Sequence, residues 1–388
     1  MAALLLLLAC LLASASAFTC NSALDCEANG ACAGGACACF RGWRGPSCGA
    51  LDLAPASFPA AQAWPLPVAR NSSSWGFTRV HDASDGLYHA LVTVACGASG
   101  VIGNGGGQSW IAHLTSPSGA DGWALAPRHG MFSPQTTFGP HLSQAADGTF
   151  VAVFRVNILL NATLCSGNSS GVEPSALVED ASIPPRDLVS GDPEAGTSIY
   201  IATAASMAGP WTVGNVSILG GGGVHKSNPS LTQLRDGRWA MAYRDNPGKG
   251  ERLALALADA ASGPYTDVRN ITECPAGPGD RSNNCEDPFV WQDSSNSSVA
   301  HILYHNGPFG FHTAGSLDGK EGWAVSPTGA TAYTLNVETS TGSTFKLLRR
   351  ERPELQLRPD GSPSLLITGA TAMDGTTLRA FSLLQGVN

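Results

Sequence analysis

The side chains able to move protons or bind hydroxyl groups are unevenly spread along this chain. Glu286 and Asp287 stand side by side in Cys285-Glu286-Asp287-Pro288-Phe289-Val290-Trp291. Glu351 and Arg352 precede Pro353, Asn228 precedes Pro229, and Arg244-Asp245 closes an apolar run. His305 and His312 flank the turn Asn306-Gly307-Pro308. Carboxyl groups of this kind can give and take protons, whereas Asn, Arg and His can hydrogen-bond hydroxyls. Asp287 before Pro288 could also do no more than cap a turn. Such groups become a site only if the fold brings them together.

Turn spacing shows how it does so. Four segments share an extended start, an Asp-Gly turn and an apolar second strand: Trp75 to Val94, Phe138 to Arg155, Asn228 to Arg244, and Arg352 to Thr368. In a fifth, Glu286 to His305, Asp293-Ser294-Ser295-Asn296 replaces Asp-Gly. Eight residues before the turn aspartates Asp85, Asp147, Asp236 and Asp360 stand Phe77, Gly139, Asn228 and Arg352, the last three each followed by proline, and Asp287 takes the same place before Pro288. Glycine-aromatic corners recur at Gly122-Trp123, Gly209-Pro210-Trp211, Gly263-Pro264-Tyr265 and Gly322-Trp323. Helical periodicity is poor and alternation prevails, as in strands. Five such units fit the blades of an all-β, five-bladed β-propeller, because each blade needs neighbours to bury its faces; a two-sheet sandwich has no reason to repeat one motif five times. Antiparallel pairing then gathers Phe77, Gly139, Asn228, Asp287 and Arg352 in a central funnel, flanked by Trp75, Glu286 and Glu351. Arg155, Arg244, Asp245, His305 and Asn306 fall at its rim. The glycine runs 103–107 and 220–223 precede no helix pattern and so are funnel loops rather than phosphate cradles.

The chain has 388 residues, a net charge of −8, 43% hydrophobic and only 13% charged residues, which excludes an unfolded polymer and offers no basic field for a nucleic acid. Leu4 to Leu12 followed by Ala15-Ser16-Ala17 has the form of a signal peptide over residues 1–17, and no later stretch is long enough to span a bilayer. Six sequons, at Asn71, Asn161, Asn168, Asn215, Asn270 and Asn296, fit a secreted glycoprotein. Of the 11 cysteines, Cys20, Cys26, Cys32, Cys37, Cys39 and Cys48 crowd together, and spacing alone permits fifteen pairings among six. Cys37-Ala38-Cys39-Phe40-Arg41-Gly42-Trp43 and Cys48 resemble the end of an EGF-like module, here residues 18–49. That resemblance implies the pairs Cys20–Cys32, Cys26–Cys37 and Cys39–Cys48. It also implies no calcium, since Phe18-Thr19 supplies no acid. Propeller geometry suggests Cys96–Cys165 and Cys274–Cys285 as further bonds across residues 50–388.

The Glu286-Asp287-Pro288 stretch, Asn228-Pro229-Ser230 with Asp236-Gly237, and the Gly-Pro-aromatic corners resemble the arabinanase, levansucrase and invertase superfamily of five-bladed propellers, and glycoside hydrolase family 43 most closely. The resemblance implies a carbohydrate substrate, Glu286 as general acid and Asp287 as its orienting or pKa-raising neighbour. No cofactor is expected, although some relatives carry a divalent ion in the channel. Where the superfamily places a basic Asp on the first blade, this chain reads Trp75-Gly76-Phe77-Thr78, and Asn228 replaces a further Asp. Asp245 or an acid of the 173–194 insertion is then the substitute base. Trp75 is expected to stack on a sugar face, and Asn228, Arg244, His305, His312 and Arg352 to contact hydroxyls; His225-Lys226 suits an anionic sugar. Two functions fit: a secreted glycoside hydrolase with the module as a tether or spacer, or a catalytically silent propeller that binds glycans.

Overall fold

The structure, a computed structural model, describes residues 18–56, 72–96, 109–126, 136–157, 197–216, 218–219, 225–246, 252–271, 285–323 and 328–388. The leader, Cys165, Cys274, the 173–194 insertion, both glycine runs and the sequons at Asn71, Asn161 and Asn168 lie outside those residues. The described residues contain no helix; they form a five-bladed propeller whose sheets are antiparallel except for the short outer strand Ile218–Leu219, which runs parallel to Tyr265–Ile271, with a disulfide-rich module before it.

The blades begin with Ser72–Asp82, Thr136–Gln144, His225–Gln233, Cys285–Gln292 and Arg349–Leu357. Each of these first strands touches the next, and the fifth touches the first, so the five ring a central axis. Second strands, Leu87–Cys96, Phe150–Asn157, Trp239–Asn246, Val299–Asn306 and Pro363–Asp374, lie outside them. Alternation assigns each strand's two faces to two seams. In the third blade Ala240 and Ala242 pack on the fourth, while Met241 and Tyr243 pack on the second. Hydroxyls stitch neighbouring first strands: Thr78 Oγ1 accepts from Leu142 N at 3.1 Å, and Ser230 Oγ accepts from Val290 N at 3.0 Å. The ring closes where Ser382 N donates to Ser74 Oγ at 2.9 Å and Leu53 pairs with Val387, so the chain just after the module is added to the last blade.

Every first strand carries a bulge against its partner, between Trp75/Thr78, Ser227/Ser230, Glu286/Phe289 and Glu351/Glu354, with the matching irregularity beside Gly139 in blade two. A left-handed residue opens each bulge: Gly76, Gly139, Asn228, Asp287 and Arg352, with φ between 51° and 61°. Proline follows in four blades because a bulge leaves its nitrogen without a ladder partner. The first-blade member is therefore Gly76, not Phe77 as the turn count suggested. Phe77 takes the proline's place and is buried against Trp123.

The module holds Cys20–Cys32, Cys26–Cys37 and Cys39–Cys48. Cys285 is also disulfide-bonded, its expected partner lying outside the described residues. The module is not a loose tether. Trp43, Leu51, Cys26 and Cys48 share one apolar cluster with Phe289, Trp291, Leu303 and Leu366 of blades four and five. Into this seam Glu27 inserts a buried carboxylate, which accepts from Ser47 Oγ at 3.0 Å and lies 3.2 Å from His312 Nδ1. His312 Nε2 meets His301 Nδ1 at 3.1 Å, and His301 Nε2 meets Asp293 Oδ2 at 2.9 Å. Burial is the largest influence on His301 and lowers its pKa to about 4, so a neutral ring donates to Asp293. Glu27→Ala, which strands two buried polar partners, is expected to cost about 1–3 kcal/mol. It should also raise amide exchange in the module before the propeller; uniform protection in the variant would mean that Glu27 does not hold the module down.

Candidate active site in the funnel

Three tiers of side chains surround the funnel, and the bulge register defines each. One residue before the bulge stand Trp75, Phe138, Ser227, Glu286 and Glu351. Opposite them on the second strands stand Thr93, Arg155, Arg244, His305 and Gly369. The left-handed bulge residues form the third tier. Non-glycine residues in that conformation are strained by about 1–3 kcal/mol each, so Asn228, Asp287 and Arg352 mark where the fold sustains strain to place polar groups.

Before their bulges, Glu286 and Trp75 reach back to the preceding blade, whereas Glu351 pairs within its own strand. Glu286 accepts from Arg244 Nη1 at 3.1 Å and keeps 28% of its side chain exposed. Glu351 keeps 13% exposed and pairs with Arg349 Nε at 2.6 Å. Burial raises the pKa of Glu351; His305 and Arg349 oppose that rise, and Asp287 and Glu286 reinforce it. Trp75, 3% exposed, fills the seam to blade five, where a Cβ on Gly369 would fall 2.4 Å from its ring. A buried indole cannot serve as the expected sugar platform.

At the axis, Asp287 Oδ1 lies 3.1 Å from Arg352 Nη2 and Asp287 Oδ2 lies 2.9 Å from His305 Nε2. His305 Nδ1 faces Gly307 O at 3.1 Å, so both ring nitrogens point at acceptors and the ring is an imidazolium. Burial by itself would lower the pKa of His305, but the hydrogen bond and charge of Asp287 outweigh it and raise it to about 9. Burial likewise opposes ionisation of Asp287, and the charges of Arg352 and His305 overcome it, holding the carboxyl below its ordinary range. Asp287 is therefore a fixed anion, and His305 has no nitrogen to spare for a hydroxyl. Arg352 spans the axis: Nη2 also donates to Asn228 Oδ1 at 3.2 Å, and the guanidinium lies 4.3 Å over the Phe138 ring. Cβ atoms at Gly76 and Gly139 would fall 3.1 Å and 2.1 Å from its side chain. Gly139→Ala is expected to cost about 1–2 kcal/mol for left-handed backbone alone, and more through displacement of Arg352. In an Arg352→Ala background its cost should fall; a full additive cost, read from urea midpoints, would refute the contact.

Two expected site residues lie elsewhere. Asp245 is fully buried on the opposite face of its strand from Arg244, the face it shares with Tyr243, and Arg252 Nη2 donates to it at 2.9 Å. It is closed off from the funnel and cannot be the base. His312 is buried beneath the module against Glu27, away from any ligand. Both errors arise because residue type does not reveal which face of a strand carries it. Glu351 was legible as a funnel flank but not as a perturbed acid, because its burial comes from other blades.

The funnel set Glu286–Asp287–His305 has ligand atoms within 4.8 Å of one another, as has Asp82–Asp85–His89 at a first-blade turn. The former already faces Arg244 and Arg352, so a cation there would add to like charge. Deeper in the channel His141 Nδ1 pairs with Glu354 Oε1 at 2.7 Å and its Nε2 faces Leu231 O at 2.7 Å. Burial would lower the pKa of His141, yet Glu354 raises it, and with both ring nitrogens facing oxygen acceptors neither is turned toward a metal. The channel residues described do not suit a resident divalent ion.

Residues 23–50 match the Teneurin-like EGF domain family. No curated protein matches the sequence. Among solved structures, the fold is similar to a family 117 glycoside hydrolase of the marine bacterium Zobellia galactanivorans, with TM-score 0.50 and 12% identity over 87% of this chain and 90% of that one. It is similar to the catalytic domain of the Coprinopsis cinerea GH62 alpha-L-arabinofuranosidase, with TM-score 0.52 and 11% identity over 90% and 97%. A Podospora anserina alpha-L-arabinofuranosidase in complex with cellotriose gives TM-score 0.50 and 10% identity over 86% and 95%. At these identities the likeness is one of fold.

Proposed function

We propose that this chain is a secreted glycoside hydrolase that holds a glycan in the propeller funnel and cleaves it with two carboxyl groups, Glu351 and Glu286. The observation that carries the reading is their equivalence: both precede the bulge, on adjacent innermost strands, both are partly open, and their surroundings differ. Glu351, raised by burial, is the proton donor to the departing oxygen. Glu286, held by Arg244, is the carboxylate that accepts the proton of water or attacks the sugar carbon. The acid role that resemblance assigns to Glu286 thus passes to Glu351. Asp287, His305 and Arg352 position the floor. Residues 1–17 are removed as a signal peptide, residues 18–49 and 50–388 form module and propeller, and the sequons carry glycans. The exposed Asn296, whose Oδ1 accepts from Ser298 Oγ at 2.7 Å, is the clearest acceptor among the described residues.

One observation favours a silent glycan-binding propeller instead: Gly76 and Gly139 carry no carboxylate, and Arg352 lies between them. Secreted protein with Glu351→Gln and Glu286→Gln variants, assayed on furanosides, pyranosides and sulfated oligosaccharides for release and for binding, separates the two. Release lost in both variants supports hydrolysis, and binding without release supports recognition.

A further inference from the structure

Away from the funnel, the module and the propeller enclose a second cavity of about 280 Å³. Its walls come from three parts of the chain: Phe40 and Trp43 of the module, the blade-four turn at Ser294 and Ser295, and the blade-five turn at Gly361 and Ser362. Both turns join a first strand to a second strand at the end opposite the bulge, so the cavity lies on the face remote from Glu286 and Glu351. Its volume equals that of about nine waters at ~30 Å³ each, room for one ring-sized ligand. Asn29, 3% exposed, lines it. Cys48 O can only accept, so its 3.3 Å contact with Asn29 Nδ2 fixes the amide with Oδ1 turned the other way. Nδ2 also lies 3.2 Å from His312 Nδ1, whereas Oδ1 accepts from no described residue. In so buried a residue, the acceptor without a protein donor is the one that can serve a ligand. Phe40 is fixed beside it, since Phe40 N donates to Asn29 O at 2.8 Å, yet Phe40 is 47% exposed.

The other polar groups of the cavity define what fits. Asp293 is spent on the fold, accepting from Ser295 N and Asn296 N and facing His301 Nε2. Asp360 uses Oδ1 for Ser362 N and Oγ, at 2.9 and 2.6 Å, and its Oδ2 accepts from no described residue. Arg41, exposed at the rim, donates to no described residue. Hydrogen bonds from Ser362 and the charges of Arg41 and Arg358 keep Asp360 ionised. Two cations, Arg41 and Arg358, thus stand against two anions, Asp293 and Asp360. An anionic ligand would meet Asn29 Oδ1 and Asp360 Oδ2 with no proton to give them, and a cationic one would meet Arg41 with nothing to accept its protons. Hydroxyl groups do both, and an aromatic wall with a few convergent polar groups is the usual form of a small-ligand site. From this geometry we propose that the cavity is a second binding site for a neutral sugar residue, stacked on Phe40 and hydrogen-bonded through its hydroxyls to Asn29, Asp360 and Arg41. The site exists only where module and propeller meet, which gives the module a recognition role separate from cleavage in the funnel.

The test uses the full secreted chain with cellobiose, xylobiose, diacetylchitobiose and galactobiose, and with analogues of each that carry a carboxylate or an ammonium group in place of one hydroxyl. Hydrogen exchange locates the binding in wild-type protein. At least one neutral disaccharide is expected to slow exchange at residues 40–43, 293–296 and 360–362, and to do so equally in Glu351→Gln. In calorimetric titration that disaccharide should bind about 10-fold more tightly than its charged analogues, which leave a polar group of the site unpaired. Phe40→Ala should weaken it about 10-fold by removing the ring's apolar contact. Asp360→Asn, which keeps Oδ1 for Ser362 but turns the open oxygen into a donor, should weaken it about 3-fold. Exchange slowed only along the funnel strands, or unchanged affinity in Phe40→Ala, would overturn the proposal and leave the funnel reading intact. A preference for a charged analogue would overturn the neutral class, and failure of every neutral probe to bind would overturn the site.

Discussion

Replacing Glu351 by Gln is expected to reduce sugar release by about 10²–10⁴-fold, the contribution typical of a positioned general acid, while leaving the melting temperature nearly unchanged. Gln keeps the side chain's volume and can still receive Arg349, but it cannot deliver a proton. Glu351 must be protonated to act, and burial raises its pKa, so wild-type activity is expected to fall as pH rises through that raised value. The variant should lose this alkaline limb. A substrate whose leaving group departs without protonation, such as a dinitrophenyl glycoside, should be cleaved by the variant at close to the wild-type rate, an outcome that mere structural damage could not produce. Glu286→Gln should lose activity on both substrates. If Glu351→Gln retains the wild-type pH profile, the proton donor lies elsewhere.

Asp287→Asn carries the largest expected stability loss, about 3–5 kcal/mol, because removing one member of a buried ion group leaves its partners uncompensated. Here the stranded groups are Arg352 and His305, both within 3.1 Å of that carboxylate. The pH dependence has a definite sign. His305 is raised in the folded state, so the stability it contributes is complete below about 6.5, its ordinary value, and is lost as pH rises through about 9. Asp287 is lowered, so its contribution is present above about 3.9 and is lost as pH falls through its depressed value. Urea midpoints of the wild type should therefore decline between about pH 6.5 and 9, and those of Asp287→Asn should show no such decline from His305. A parallel decline in both proteins would detach His305 from Asp287.

Parts of this architecture were legible before any coordinates. The Asp-Gly turns and the x-Pro positions eight residues earlier marked the first strands of the blades and their funnel positions; that these positions are left-handed bulges, where a proline nitrogen needs no ladder partner, is a feature of the structure. The count slipped by one residue in blade one, where Phe77 stands in the proline's place and Gly76 in the bulge. Glu286 and Asp287 were recognisable from their motif, but their roles were not. Whether a carboxyl is an acid or an anchored anion depends on which cations and apolar surfaces from other blades surround it.

Local chemistry written along the chain thus determined the strand rhythm, the five repeats and the cysteine-rich module, since each depends on neighbours a few residues away. Tertiary structure alone decided that Trp75, Asp245 and His312 are buried, that Glu27 locks the module onto blades four and five, and that Arg352 crosses the axis to Asn228 and Asp287. Those outcomes follow from the face and depth each side chain receives when five sheets close into a ring. Long-range packing sets them, because a strand's two faces are equivalent until neighbouring blades make one of them the funnel and the other a seam.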